Sequence, residues 1–290
     1  MSASCSRCIL ILAGLAILLS TTIQTINLIW HHYPGNNYFP DNVGWLFFLL
    51  LLIWMGLKLS FSQESTIPAR GRELIYFFAI MSLIAFTTNA VQLTPFPTID
   101  TQIITFEQRL HIDMAKIIAW THTHPLIKRL LEFSYASIDY QLSLIPVVVI
   151  LSGHISWLRE FYYFLIVTVL IGFSFYYIFP TTAPASNILS PLFGADQLAT
   201  GLKFTQIHQH IIPTTNEGGL IAMPSFHAIW AILCVYLIRE WRLAASLLAL
   251  NNLLLLLSCV LLGWHYPSDL IGSILVLIPA FAWNRWCQRG

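Results

Sequence analysis

Four residues near the C-terminal end of the chain have the types and spacing of a phosphoryl-transfer site. His265 stands four positions before Asp269, so on a helix, or a helix and its first turn, the two side chains face each other. A carboxylate bonded to one imidazole nitrogen fixes the tautomer and leaves the other nitrogen free to attack. A second imidazole, His227, is placed to protonate a departing oxygen. Ser225 and the N–H groups after Pro224 stand at a helix start, where backbone donors converge on an anion. Such a set transfers a phosphoryl group through a phosphohistidine and calls for no metal or other cofactor. Each motif alone has a plainer reading. Pro224-Ser225 and Pro267-Ser268-Asp269 also describe ordinary helix starts, with Pro in the first turn and Ser or Asp as cap. The conjunction at one place favours chemistry.

Topology must supply that place. The chain is 57% hydrophobic and only 9% charged, too few charges to coat a water-soluble surface of 290 residues. Lipid must cover it. A crossing needs roughly 20 mostly apolar residues, and eight stretches qualify: 9–30, 43–60, 74–93, 133–153, 160–179, 219–238, 243–263 and 267–284. The first lacks a small-x-small cleavage site and reads as a retained anchor. Residues 101–132 carry Glu107, Arg109, His111, Asp113, Lys116, Lys128 and Arg129, too many charges for a span. They read as one or two amphipathic helices lying in the interface, broken near Pro125. The fold class is therefore all-α and membrane-embedded, with about eight transmembrane helices and an interfacial helical segment.

Basic residues set the direction. With the N-terminus cytoplasmic, Arg7, Lys58, Arg70, Arg72, Arg159, Arg239, Arg242, Arg285 and Arg289 all fall inside. Both termini are then cytoplasmic. Three segments meet on the outer face: Phe179–Ser186 after the fifth span, Met223–Ala228 opening the sixth, and Gly263–Asp269 between the seventh and eighth. From His227 one helix crosses inward and the next returns before His265, so both imidazoles lie at similar depth. The polar loop 180–218 lies on the same side. It supplies Thr181, Thr182 and Lys203 as candidate substrate-binding residues beside Ser225, with His227, His265 and Asp269 as the catalytic candidates.

These motifs resemble the type 2 phosphatidic acid phosphatase superfamily. Pro224-Ser225-Phe226-His227 matches its P-S-x-H motif. Ser258-Cys259, five residues, then His265 and Asp269 reproduce the spacing of its third motif. The likeness extends over about 100–290 and is greatest to the branch with inositol-phosphorylceramide synthases, inositolphosphotransferases and related bacterial membrane proteins. It implies that His265 is the nucleophile, Asp269 its orienting partner and His227 the general acid. It also implies a six-helix core drawn from spans three to eight, metal-independent chemistry, and a bacterial inner membrane with the site periplasmic. Residues 1–95 then form accessory spans and 96–290 the catalytic membrane domain.

The departures from the family pattern concern charge. Its first motif, a Lys and an Arg-Pro, has no counterpart, and the third-motif Arg is Cys259. One opposite charge at contact near a surface contributes about 4 kcal/mol before desolvation, and Lys203 is the only cation on that face outside the interfacial segment. A phosphodiester with one negative charge therefore suits the site better than a phosphomonoester. The reading is a membrane phosphotransferase or phosphatase acting on a lipid phosphoester. The alternative is a lipid-binding or transport protein that keeps a degenerate site, and a channel is disfavoured because the spans offer no charged pathway.

The remaining signals are weaker. A lipid within the membrane is the one partner implied, with no obligate protein partner. The net charge of +1 argues against nucleic acid. Cys5-x-x-Cys8 and His208-x-His210 each lack further ligands, so no metal is assigned. Asp139, Gln141, Asn251 and Asn252 read as polar ties between spans, with Asp139 the one to examine for nearness to the site. Trp30, His31, His32 and Tyr33 read as an interfacial belt, with Trp283 and Trp286 at the opposite side.

Overall fold

The structure is a computed structural model that describes residues 3–33 and 41–289, with side chains over 7–33 and 41–285. Cys5 and Trp286 lie outside the described side chains. Twelve helices and no strand occur among the described residues. They are α1 (Ala3–Trp30), α2 (Val43–Ser60), α3 (Ile67–Val91), α4 (Asp100–Arg109), α5 (Met114–His122) and α6 (Pro125–Ser152), followed by α7 (Ile155–Ile178), α8 (Pro184–Asn187), α9 (Ala195–His208), α10 (Phe226–Leu237), α11 (Arg242–Leu261) and α12 (Pro267–Arg289). Seven of these, α1, α2, α3, α6, α7, α11 and α12, are long and apolar enough to cross a bilayer. The chain is a multi-pass, all-α membrane protein.

The remaining apolar segment, expected to be helical over 219–238, coils only over Phe226–Leu237. Pro224 disfavours helix at the residue before it, and the Ser225 hydroxyl accepts the Ala228 N–H at 3.4 Å, which starts α10 there. Twelve residues reach about 18 Å, so α10 stops short of a full crossing and residues 219–225 form a wall above it. The fourth span differs the other way. Pro125 occupies the first turn of α6, which starts eight residues earlier than the 133 expected and carries a Lys128–Glu132 ion pair at 3.4 Å in its opening turns. Residues 101–124 then hold two short helices, α4 and α5, with Asp113 capping the second through the Lys116 N–H. The loop 180–218 is itself partly helical, through α8 and α9.

α7 is the axis of the bundle. Residues 161–167 are all buried, since α3, α6, α10 and α12 pack around it and α1 closes a further side. A helix enclosed in this way is apolar on all faces. In contrast, α2 buries none of its residues and rests against α3. Lipid is as apolar as Leu, so shape and polar ties hold such helices together. Ser20 donates to Thr87 Oγ1 at 3.1 Å, and Asn27 Nδ2 to the Ala90 carbonyl at 3.0 Å, joining α1 to α3. Gln141 and Asn252 exchange two bonds of 2.7 and 2.8 Å between α6 and α11, and Asn252 Nδ2 also reaches the Ala231 carbonyl of α10 at 2.7 Å. Asn251 bonds Ser137 Oγ at 2.9 Å.

One end of the bundle is basic. Arg159 pairs with Glu73, Arg239 pairs with Glu160, Asn284 Nδ2 donates to Glu160, and Arg70 donates to the Leu151 carbonyl. The other end carries α4, α5, α8, α9 and the two histidine motifs. Trp30 and Trp283 are exposed as a belt requires, whereas Tyr33 turns inward against Leu93, Ile207 and Leu220.

Asn252 of α11 bonds to two other helices, α6 and α10, in the middle of the bundle. Its replacement by Leu removes those bonds and leaves Gln141 Oε1 without its donor, while Gln141 Nε2 keeps Ser137 Oγ. Asn252→Leu is expected to lower stability by about 1 kcal/mol, read as a reduced thermal midpoint of the detergent-solubilised protein.

Candidate active site

Two helix starts aim the reactive groups at each other. Ser225 caps α10 and puts His227 in its first turn. At the far end of α11 the chain reverses through Gly263, whose φ of +83° belongs to the left-handed region that glycine enters freely. A Cβ at Gly263 would also stand 2.7 Å from Ile118 Cδ1. The reversal is closed by a bond of 2.8 Å from the His265 N–H to the Cys259 carbonyl. α12 then opens at Pro267, with Asp269 in its first turn.

The two starts are also tied directly. The Ser225 N–H donates to the Asp269 carbonyl at 3.2 Å, and the Ser273 hydroxyl donates to the Ser225 carbonyl at 2.9 Å. α10 and α12 are thereby registered to one another at the depth of the histidines.

Asp269 is fully buried and its Oδ2 accepts twice, from His265 Nδ1 at 3.1 Å and from the Tyr266 N–H at 3.0 Å. A carboxylate oxygen that takes a ring N–H places the imidazole proton on Nδ1 and leaves a lone pair on Nε2. That Nε2 lies 3.5 Å from Nδ1 of His227, with ring centroids 5.6 Å apart. Burial holds the His265 pKa below the ordinary imidazole range, which keeps the ring neutral. The arrangement is a neutral imidazole, oriented by a carboxylate, beside a second imidazole.

Both imidazoles line a cavity of about 330 Å³, with Asp139, Phe173, Trp230 and Trp264 also in its wall. Among the described residues, no Lys or Arg lines it. The other sequence candidates sit behind the wall. Ser225 is fully buried in its cap. Lys203 is also inaccessible, donating to the carbonyls of Asn216 at 3.2 Å and Gly218 at 2.7 Å, and burial pushes its pKa down to about 8. It thus holds the strand of loop from which Gly218, Leu220 and Ala222 line the cavity. Thr182 donates its N–H to Asp100 Oδ1 at 2.9 Å and accepts from Asn187 at 2.8 Å, while the buried Thr181 hydroxyl has no hydrogen-bond partner among the described residues. Asp139 faces the cavity rather than tying helices together.

Two groups without a sequence signal complete the site. Glu107 of α4 is buried and its Oε1 accepts both the N–H of Ser268 at 2.9 Å and its hydroxyl at 2.7 Å. A carboxylate at the start of α12 also meets the positive end of the helix dipole. The charge of Glu107 was legible only as a reason not to place 101–132 across the bilayer. Tyr135 of α6 stacks on His227 with centroids 4.7 Å apart and on Trp264 at 5.1 Å. Nothing in the spacing of an apolar helix marks that tyrosine, since its partners lie far away in sequence.

A family model of the PAP2 superfamily matches residues 101–283. The chain belongs to the PAP2 superfamily. Its members are phosphatases, so at this broad level the chain is an enzyme acting on phosphoesters. No curated protein and no solved structure gives a significant match to this PAP2 chain. The matched stretch begins in α4 and ends in α12, and it contains every residue of the paired-histidine site.

Glu107 anchors the helix start that carries Asp269. Glu107→Ala is expected to lower stability by about 2 kcal/mol, the scale of losing hydrogen bonds to a buried charged acceptor, whereas Glu107→Gln, which keeps an acceptor oxygen, is expected to lose less than half of that. Thermal midpoints of the two variants beside the parent check the order.

Proposed function

We propose that this PAP2 protein is a metal-independent lipid phosphotransferase or phosphatase that works through a phosphohistidine on His265, with a phosphodiester head group as donor. The observation that carries the reading is the contact of His265 Nε2 with His227 Nδ1 at 3.5 Å, while Asp269 holds the opposite nitrogen at 3.1 Å. His265 Nε2 attacks phosphorus, the P–O bond to the leaving group breaks, and the departing oxygen takes a proton from His227. Water or an alcohol then attacks the phosphohistidine, giving its proton to His227, and the N–P bond pair returns to Nε2.

A cavity wall without Lys or Arg supports the diester choice. A phosphomonoester dianion brings two charges into an enclosed, largely apolar space, where an unpaired charge is costly. A diester brings one. The basic end of the bundle supports a cytoplasmic assignment for that end and an outer-leaflet assignment for the cavity, with both termini inside and, by the resemblance of its motifs to a branch that includes bacterial membrane proteins, the inner membrane as location. The protein that binds lipid without chemistry has one specific argument against it: the nucleophile, its carboxylate and the second imidazole are all present and in contact.

Purified protein offered labelled phosphatidic acid and phosphatidylinositol side by side tests the substrate class. Head-group release or transfer from the diester, abolished in His265→Ala, is the expected result. Rapid phosphate release from phosphatidic acid with no head-group transfer would overturn the diester assignment, and full activity of His265→Ala would overturn the enzyme.

The pH dependence follows from the tautomer. Protonated His265 has no lone pair, and its lowered pKa keeps the free base present at lower pH. The acid limb of kcat/KM is therefore expected to have its midpoint below about 6.5, the ordinary imidazole value, in a profile taken from pH 4 to 8 on the diester.

A further inference from the structure

The two imidazoles are held by different means. His265 has a carboxylate partner, but His227 has no hydrogen-bond partner among the described residues apart from the 3.5 Å contact with His265 itself. The χ2 torsion of histidine is broad and roughly two-fold, so a ring held by one long contact turns easily. A proton donor that turns loses its aim at the leaving oxygen. What bounds the His227 ring is Tyr135, stacked on it at 4.7 Å and 20° from parallel. Tyr135 is in turn stacked on Trp264 at 5.1 Å and 5° from parallel. A tyrosine ring stacked near-parallel on two other rings at once is held against turning.

Trp264 precedes His265 directly, and all four rings border the same cavity. The stack therefore runs from the turn that carries the nucleophile, through α6, to the second imidazole.

We propose that Tyr135, backed by Trp264, is a positioning residue for the general acid: its ring sets the plane in which His227 presents its proton. The proposal rests on the phosphohistidine reading above and adds to it the device that aims the proton. The ring does the positioning, and the phenol hydroxyl is not required.

Leaving-group chemistry separates this role from a general structural one. An alkyl phosphodiester expels an alkoxide and needs the proton, whereas a nitrophenyl phosphodiester expels a weakly basic phenolate and does not. Release of each leaving group in the first turnover is measured for the purified full-length parent and for His227→Ala, Tyr135→Leu, Tyr135→Phe and Trp264→Leu. Tyr135→Leu is expected to slow alkyl release about tenfold or more while nitrophenyl release changes less than about twofold, in the direction of His227→Ala and short of its full effect. KM is expected to stay near the parent value, Trp264→Leu to show the same selectivity more weakly, and Tyr135→Phe to match the parent on both substrates. Equal slowing of both substrates by Tyr135→Leu, slowing of neither, or a Tyr135→Phe protein as impaired as Tyr135→Leu would overturn the proposal. Nitrophenyl release serves as the internal measure of folded enzyme. If His265→Ala releases both groups as fast as the parent, the underlying reading fails and this one with it. If His227→Ala is selective and Tyr135→Leu is not, only the positioning role fails.

Discussion

Oδ2 of Asp269 joins three things that the chain must keep together: the imidazole of His265, the backbone N–H of Tyr266, and the first turn of α12 to which the aspartate itself belongs. A buried carboxylate left without donors is costly, and one supplied with them is rigid. The turn at Gly263, the bond from the His265 N–H to the Cys259 carbonyl and the Glu107 anchor on Ser268 all bear on the geometry of that oxygen. The His265–Asp269 pair is therefore part of a helix start rather than an ornament on a loop. Its rigidity comes from the same bonds that end α11 and begin α12.

Around that oxygen the site is unusually poor in positive charge. Lys203 is spent on two carbonyls and Cys259 is buried where the family pattern has an arginine. What encloses the cavity is mostly aromatic and aliphatic, with Asp139, Tyr135 and the two histidines as the ionisable groups among the described residues. His227 there meets the ring of Tyr135 in place of a charged partner. In a region bordered by lipid this is the less expensive solution, because each added cation would need its own partner or a route to water.

The membrane imposes the rest of the design. Within the spans Gln141 and Asn252 satisfy one another, and the Arg159–Glu73 and Arg239–Glu160 pairs lie at the end away from the cavity. α10 is short because it begins at the depth of His265, and of the seven residues that would have lengthened it, 219–222 line the cavity and Ser225 caps the helix. α4 and α5 lie outside the bundle yet reach into it through Glu107 and through Thr121, whose hydroxyl donates to the Leu261 carbonyl at 2.7 Å.

Local chemistry was enough to read much of this protein. Apolar run lengths reveal the spans, since hydrocarbon thickness leaves one answer for twenty uncharged residues, and the i to i+4 spacing of His265 and Asp269 is intrinsic to a helix start. The pairing of His227 with His265 was also legible, because one helix down and one helix up returns the chain to the same depth. Tertiary structure alone decided which polar residues face the substrate. Thr181, Thr182, Ser225 and Lys203 lie on the expected end but behind the wall, and Asp139 and Tyr135, on a helix that reads as a plain span, lie in front of it. The reason is rotational. Hydropathy fixes where a helix crosses, but in a bundle surrounded by lipid no apolar stripe marks the inward face, so the direction of each side chain is set only when the neighbouring helices pack against it.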